Sequence, residues 1–110
     1  MDREKLVAAF KALSDPRRLA IVEMLADGEL CVCDLVSRLE LSQPLVSHHL
    51  RELKRAGLVL DRRRGVWSFN RLDPEALARF KETLDALFER GIASAGRADG
   101  CCGRGEAGGE

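Results

Sequence analysis

Residues 41–57 limit what this chain can fold into more than any other stretch. Ser42, after the tight Leu41-Ser42 connection, is a cap residue, and Gly57 closes a helix expected over residues 43–55. Val46, Leu50 and Leu53 share one face of that helix by 3.6-residue spacing and should pack inward, while Pro44, Ser47, His48, Arg51 and Arg55 fall on the other. His49 lies at the edge of the apolar face, where packing or hydrogen bonding suits it better than contact with a base. Residues 34–40 read as a short preceding helix, with Leu35 and Leu39 one turn apart. Short helix, tight turn, second helix with a polar-basic outer face: this is the helix-turn-helix pattern, whose second helix enters the major groove of DNA.

The flanking segments complete a winged version of that pattern. Residues 2–13 form an amphipathic helix through Leu6, Phe10 and Leu13. Ser14-Asp15-Pro16 caps and starts a second helix whose apolar stripe reads Leu19, Val22 and Leu25, with Ile21 alongside, and which Gly28 ends. Arg17 and Arg18 in its first turn oppose the helix dipole, as solvated side chains or as phosphate contacts. Leu58-Val59-Leu60 and Val66-Trp67-Ser68-Phe69 are β-prone runs joined by Asp61-Arg62-Arg63-Arg64-Gly65, a hairpin with its three arginines at the tip. Asp73-Pro74 opens a last helix over residues 74–93, striped by Leu77, Phe80, Leu84 and Leu87 with Phe88 beside them. A domain this small has little room to bury that stripe internally, so pairing with a second copy, together with the first helix, is expected. The fold class is therefore mainly α with a β-hairpin wing, a homodimeric winged helix-turn-helix over residues 1–93. Residues 94–110 are Gly-rich and apolar-poor and read as a flexible tail.

Charge supports the same reading. The net charge is zero, but residues 42–71 hold seven Lys/Arg against two Asp/Glu, leaving −2 before them and −3 after. A basic middle is the electrostatic footprint that nucleic acid requires. No apolar run approaches the roughly 20 residues of a membrane span and no signal-peptide core is present, so a cytoplasmic protein without a membrane partner is expected. In that compartment the two close cysteine pairs, Cys31/Cys33 and Cys101/Cys102, point to metal or redox chemistry rather than to structural disulfides.

The element order, with the stretches Ala12-Leu13-Ser14-Asp15-Pro16-Arg17-Arg18-Leu19 and Leu41-Ser42-Gln43-Pro44-Leu45-Val46-Ser47-His48-His49-Leu50, closely resembles the ArsR/SmtB family of winged-helix repressors over residues 5–92. Within that family, Glu29-Leu30-Cys31-Val32-Cys33-Asp34-Leu35 resembles the signature of arsenic- and antimony-sensing members. The resemblance implies a homodimer that holds double-stranded operator DNA and releases it when As(III) or Sb(III), the inducer, binds cysteine thiolates, with no cofactor required. It also implies DNA contacts from Ser42, Gln43, Ser47, His48 and Arg51, and from Arg62, Arg63 and Arg64 of the wing.

Soft thiolates suit soft, thiophilic centres. On an ideal helix Cys31 and Cys33 would point about 200° apart, so gripping one ion should unwind or reorient the start of the third helix. The ligand would then favour the distorted state and DNA the regular one. The chain also departs from the family motif: the third cysteine that often follows three positions later is Val36 here. Only Cys101 and Cys102 could supply a further sulfur, and from a helix end near Ala93 the intervening residues reach up to about 30 Å. Three arrangements are open: the tail completes the Cys31/Cys33 site, forms a separate thiol site, or takes no part in sensing. Two protein thiols would also suit a methylated trivalent arsenical.

Other chemistries fit less well. A zinc site on the last helix would have Glu82, Asp85 and Glu89 but no histidine, and the first thirty residues contain no cysteine for a cadmium or lead site. His48-His49 has no nearby nucleophile, and Cys101-Cys102 lacks the βαβ setting of a thiol oxidoreductase, so the protein is not expected to be an enzyme. The alternatives retained are a thiol redox or reactive-sulfur sensor of the same fold and, from a different class, a thiol arsenate reductase using Cys101 and Cys102.

Overall fold

The computed structural model describes residues 1–96. Five helices and three short strands follow in the order α1 (Arg3–Leu13), α2 (Pro16–Leu25), β1 (Leu30–Cys31), α3 (Val32–Leu39), α4 (Gln43–Arg55), β2 (Val59–Arg64), β3 (Trp67–Leu72) and α5 (Pro74–Ala95). These residues divide into two compact units, Met1–Phe80 and the part from Lys81 onward, so that α5 begins in the first and continues through the second. Among the described residues, no helix is long and apolar enough to cross a membrane. The fold is a winged helix-turn-helix, as expected.

Local chemistry sets the helix ends. Asp2, Asp15 and Ser42 each have extended backbone at an N-cap, and their side chains accept hydrogen bonds from amides of the first turn of α1, α2 and α4. Each such cap stabilises its helix by about 1 kcal/mol. At the other end of α4, Gly57 adopts φ +84°. The Gly57 and Leu58 amides bond the carbonyls of Lys54 and Leu53 at 2.9 and 3.0 Å. This is a Schellman closure, and it turns the chain directly into β2.

The core of the first unit contains Ala9, Ala12, Ile21, Leu25, Leu35, Val46, Leu50, Leu53, Leu58 and Val59, with Leu77 and Phe80 of α5 packed against it. Val46, Leu50 and Leu53 are buried as their spacing requires. Two stripes read from the sequence are corrected. On α1 the buried side chains are Ala9 and Ala12, whereas Phe10 is 46% exposed and meets Phe80 edge-on at 5.4 Å between ring centres. On α2 the inward row is Ile21 and Leu25, one turn apart, and Leu19 is 44% exposed. That helix is apolar at nearly every position from Leu19 to Leu25, so periodicity alone could not choose between rows. The half-buried Arg18 settles the orientation: its Nε donates to the Ala12 carbonyl at 2.7 Å, tying α2 to the end of α1.

The sheet is antiparallel, in the order β1-β3-β2. Strand β1 is absent from the expectations above; it is two residues long and pairs Leu30 with Asn70 and Cys31 with Phe69. The wing also differs in register. Arg64 pairs with Trp67, so the turn is the two-residue Gly65-Val66, with Gly65 at φ +62°. Such turns match strand twist and need a residue tolerant of positive φ. Arg62, Arg63 and Arg64 therefore lie along β2 and not at the tip.

Candidate nucleic-acid interface and cysteine site

The connection between α3 and α4 decides which face of α4 is presented. Glu40 ends α3 in the left-handed region at φ 54°, ψ 41°, and two residues later Ser42 accepts a hydrogen bond from the Leu45 amide at 3.3 Å. With Val46, Leu50 and Leu53 buried, Gln43, His48 and Arg51 are exposed, Ser47 is half-buried, and Ser42 is exposed at the cap. Thus the outer face of α4 carries the five side chains that the resemblance assigns to DNA.

His49 faces the other way. It is 4% exposed, and its Nδ1 lies 3.3 Å from the Arg18 guanidinium, while Nε2 has no hydrogen-bond partner. Because guanidinium can only donate, Nδ1 accepts and the imidazole proton sits on Nε2. Burial holds its pKa below the usual histidine value; nearby Asp15 opposes that shift, and Arg18, His48 and Arg17 reinforce it. Arg18 thus bridges α1 and α4 and is not a phosphate ligand in waiting.

Alternation along β2 separates the wing arginines. Asp61 and Arg63 face α4, where Asp61 pairs with Lys54 at 3.1 Å. Arg62 reaches across β3 and makes two bonds to the Glu29 carboxylate, just before β1, at 2.7 and 2.8 Å, with its guanidinium carbon 5.9 Å from the Phe69 ring centre. That hydrogen bonding holds the Glu29 carboxyl below its ordinary pKa. Arg63 and Arg64 are exposed. The two ion pairs fasten the wing at one side to α4 and at the other to the residue two before Cys31.

The cysteine site corrects the geometric expectation. The third helix starts at Val32, not Asp34, and Cys31 precedes it as an extended N-cap residue at φ −80°, ψ 162°. Cys31 Sγ accepts from the Asp34 amide at 3.2 Å, and Asp34 Oδ2 accepts from the Cys31 amide at 3.4 Å. This is a capping box with sulfur in the place of a hydroxyl. Only Cys33 is helical, so the 200° separation does not apply: the sulfurs converge and form a disulfide across a 5.3 Å Cα separation. No unwinding is needed to bring them together. Cys31 is 7% exposed and Cys33 is exposed.

Asp34 was missed as a site residue. The two sulfurs and an Asp34 carboxylate oxygen lie within 4.8 Å of one another, donors that could hold a metal ion once the disulfide is reduced. The i, i+3 spacing from Cys31 is the sequence signal that could have found it. Cys101 and Cys102 lie outside the described residues, so the site is built here from Cys31, Cys33 and Asp34.

These parts meet in one place. A groove of about 620 Å³ runs between α4 and the wing, lined by Cys31 and Cys33 at one end, by Gln43, Ser47 and Arg51 along α4, and by Arg63 on β2. The two sulfurs and the side chains that the resemblance assigns to DNA therefore open into a common space.

Comparison with known proteins agrees with the geometry. The family described as "Bacterial regulatory protein, arsR family" matches residues 15–60, from the α2 cap into β2. The arsenical resistance operon repressor of Escherichia coli is 46% identical over 83 residues, 74% of this chain and 71% of that protein. The arsenic resistance transcriptional regulator ArsR1 of Pseudomonas putida is 44% identical over 81 residues, which are 73% of this chain but only 60% of that protein. A solution structure of a homodimeric winged helix-turn-helix DNA-binding domain from Mycobacterium bovis superposes with a TM-score of 0.65 at 27% identity, covering 87% of this chain and 89% of that one. A helix-turn-helix with a basic outer face, a short wing pinned beside it and relatives of this similarity place the chain in the arsR family of bacterial regulatory proteins, DNA-binding transcriptional regulators and not enzymes.

Proposed function

We propose that the protein is an arsenite- and antimonite-responsive repressor that acts in the cytoplasm as a homodimer. Each copy binds operator DNA through Ser42 at the cap of α4 and Gln43, Ser47, His48 and Arg51 along it, with Arg63 and Arg64 of β2 along the phosphates, while Arg62, expected beside them, is held by Glu29 on the other face of the wing. Trivalent metalloid binds the reduced thiolates of Cys31 and Cys33, with Cys101 or Cys102 as the source of any third sulfur, and the repressor lets go of its operator. The exposed apolar side chains Val7 and Phe10 on α1, and Leu87, Phe88 and Ile92 on α5, supply surfaces that a second copy would cover.

The observation that carries this reading is the shared groove. Cys31 and Cys33 line the same space as Gln43, Ser47, Arg51 and Arg63. A metalloid on the sulfurs would change the surface on which the operator rests. It would also act on β1, because Cys31 is paired with Phe69 and Glu29 with Arg62. Switching through the strand and the wing replaces the helix unwinding anticipated from the sequence. The names of the Escherichia coli and Pseudomonas putida relatives support arsenic as the signal.

The disulfide favours a second reading, in which oxidation of Cys31 and Cys33 is itself the signal. One titration separates the two. Fully reduced protein bound to the DNA upstream of its own gene is titrated with arsenite, following sulfur-to-arsenic absorbance and DNA release together. Stoichiometric release under reducing conditions is the expected result. Release only after an oxidant would assign redox sensing instead.

A further inference from the structure

We infer that Lys54 is a further phosphate ligand of the DNA-facing groove, held by Asp61 in the free protein and passed from that carboxylate to the duplex backbone on binding. The inference rests on the DNA-binding face proposed above and adds to it a residue that neither helical periodicity nor the family resemblance points out.

Placement on the helix is the first observation. Periodicity puts Arg55 on the outer face of α4, whereas in the folded helix Arg55 lines a small cavity with Ala8, Lys11 and Ala12 of α1 and bonds the Glu52 carboxylate at 3.1 Å. Lys54 is the cation that continues the row of Gln43, Ser47 and Arg51. At about 100° per residue these four positions fall within roughly 80° of one another. All four line the groove between α4 and the wing.

Charge is the second. The groove is lined by Arg51, Lys54 and Arg63 against a single acid, Asp61. Its carboxylate lies 3.1 Å from Lys54 Nζ, and the Lys54 and Asp61 side chains are 34% and 42% exposed. Water and salt reach such a pair, so it holds the wing only weakly and is readily exchanged. A backbone phosphate offers Lys54 the same charge and the same kind of oxygen acceptor. Arg51, one turn before Lys54 on α4, and Arg63, two residues beyond Asp61 on β2, draw that phosphate into the groove.

The exchange leaves a signature in salt. When Lys54 moves to phosphate, Asp61 becomes a bare carboxylate beside a polyanion and takes up a solution cation. That uptake cancels the counterion that Lys54 releases from the duplex. Lys54 therefore adds nothing to the salt dependence of the unaltered chain, and removing the carboxylate alone uncovers its contact.

The test measures binding of the full, reduced chain by fluorescence anisotropy across a salt series. Its probes are a labelled duplex from upstream of the chain's own gene and a scrambled duplex of equal length. Asp61→Asn should steepen the slope of log affinity against log salt by about 0.9, which amounts to about five-fold tighter binding near 0.15 M salt. The gain should be equal on the two duplexes, because a phosphate contact carries no sequence information. Adding Lys54→Gln to Asp61→Asn should return affinity and slope to those of the unaltered chain. Weaker binding by Asp61→Asn at an unchanged slope would overturn the inference and leave the pair as a fastening of the wing. A gain that survives in the double variant would overturn it too, since relief of repulsion at Asp61 would then account for the effect without Lys54. Both results leave the DNA-binding face standing. Failure of the unaltered chain to bind either duplex would instead remove the proposed function along with the inference.

Discussion

Replacing His49 by leucine probes the inner face of the DNA-binding helix in a way the structure makes quantitative. At pH 8 the substitution removes the acceptor for Arg18, a hydrogen bond to a charged donor worth about 1.5 kcal/mol. It also removes the Nε2–H that has no partner, a buried donor whose burial costs about 1–3 kcal/mol. Arg18 keeps its bond to the Ala12 carbonyl. These effects oppose each other, so His49→Leu should lie within about 1 kcal/mol of the unaltered protein at pH 8.

Acid breaks the tie. Burial lowers the folded-state pKa of His49, so below the unfolded value of about 6.5 the unfolded chain binds the proton more readily. Stability contributed by the neutral ring is complete above that pH and is lost as pH falls toward the depressed folded value. One proton limits the slope to about 1.4 kcal/mol per pH unit. His49→Leu should therefore overtake the unaltered protein by up to about 2 kcal/mol at pH 5. Urea unfolding of both proteins at half-unit intervals from pH 8 to 5 measures the difference, in which the common carboxylates cancel. Two parallel curves would refute the account of His49 as a buried neutral base beside Arg18.

Other perturbations reach the site from different sides. Cys31→Ser and Cys33→Ser should each keep operator binding within about two-fold and lose arsenite-driven release, read by gel mobility shift; two thiolates are the least the metalloid needs. Arg63→Ala should weaken operator binding at all sequences alike and reduce the slope of log affinity against log salt by about one, measured by fluorescence anisotropy. Glu40 holds a left-handed conformation that costs a side-chain-bearing residue about 1 kcal/mol, so Glu40→Gly should raise the unfolding midpoint slightly, seen by thermal melting. Glu29→Gln should leave the fold intact by circular dichroism but make arsenite less able to release the operator, since it weakens the link between β1 and the wing.

Long-period features were legible from residue order alone. Val46, Leu50 and Leu53 could only face inward once Ser42 and Gly57 bounded their helix, and the caps Asp15 and Ser42 act as their types require. Short-range and cross-chain features were not. A two-residue strand such as β1 has no periodicity to read, and its partners Phe69 and Asn70 are nearly forty residues away in the chain. Applying helix geometry to Cys31 and Cys33 followed from missing that strand, and it produced the supposed divergence of the two sulfurs. The arginines of the wing were displaced for a related reason: a run of β-tolerant charged residues looks like a loop until the Arg64–Trp67 pairing fixes the turn. Asp34 escaped because its capping role and its closeness to sulfur are both set by the extended backbone of Cys31.

The common groove also bears on timing. Cys33 is reached from the side on which Gln43, Ser47, Arg51 and Arg63 are displayed. Any duplex resting on those side chains would stand between the thiol and the solvent. Inducer would then capture the repressor mainly in the intervals when it is off the DNA, and the speed of derepression would follow the lifetime of the protein–operator complex. Alkylation of Cys33 slowed in proportion to operator occupancy would be the sign of that order of events.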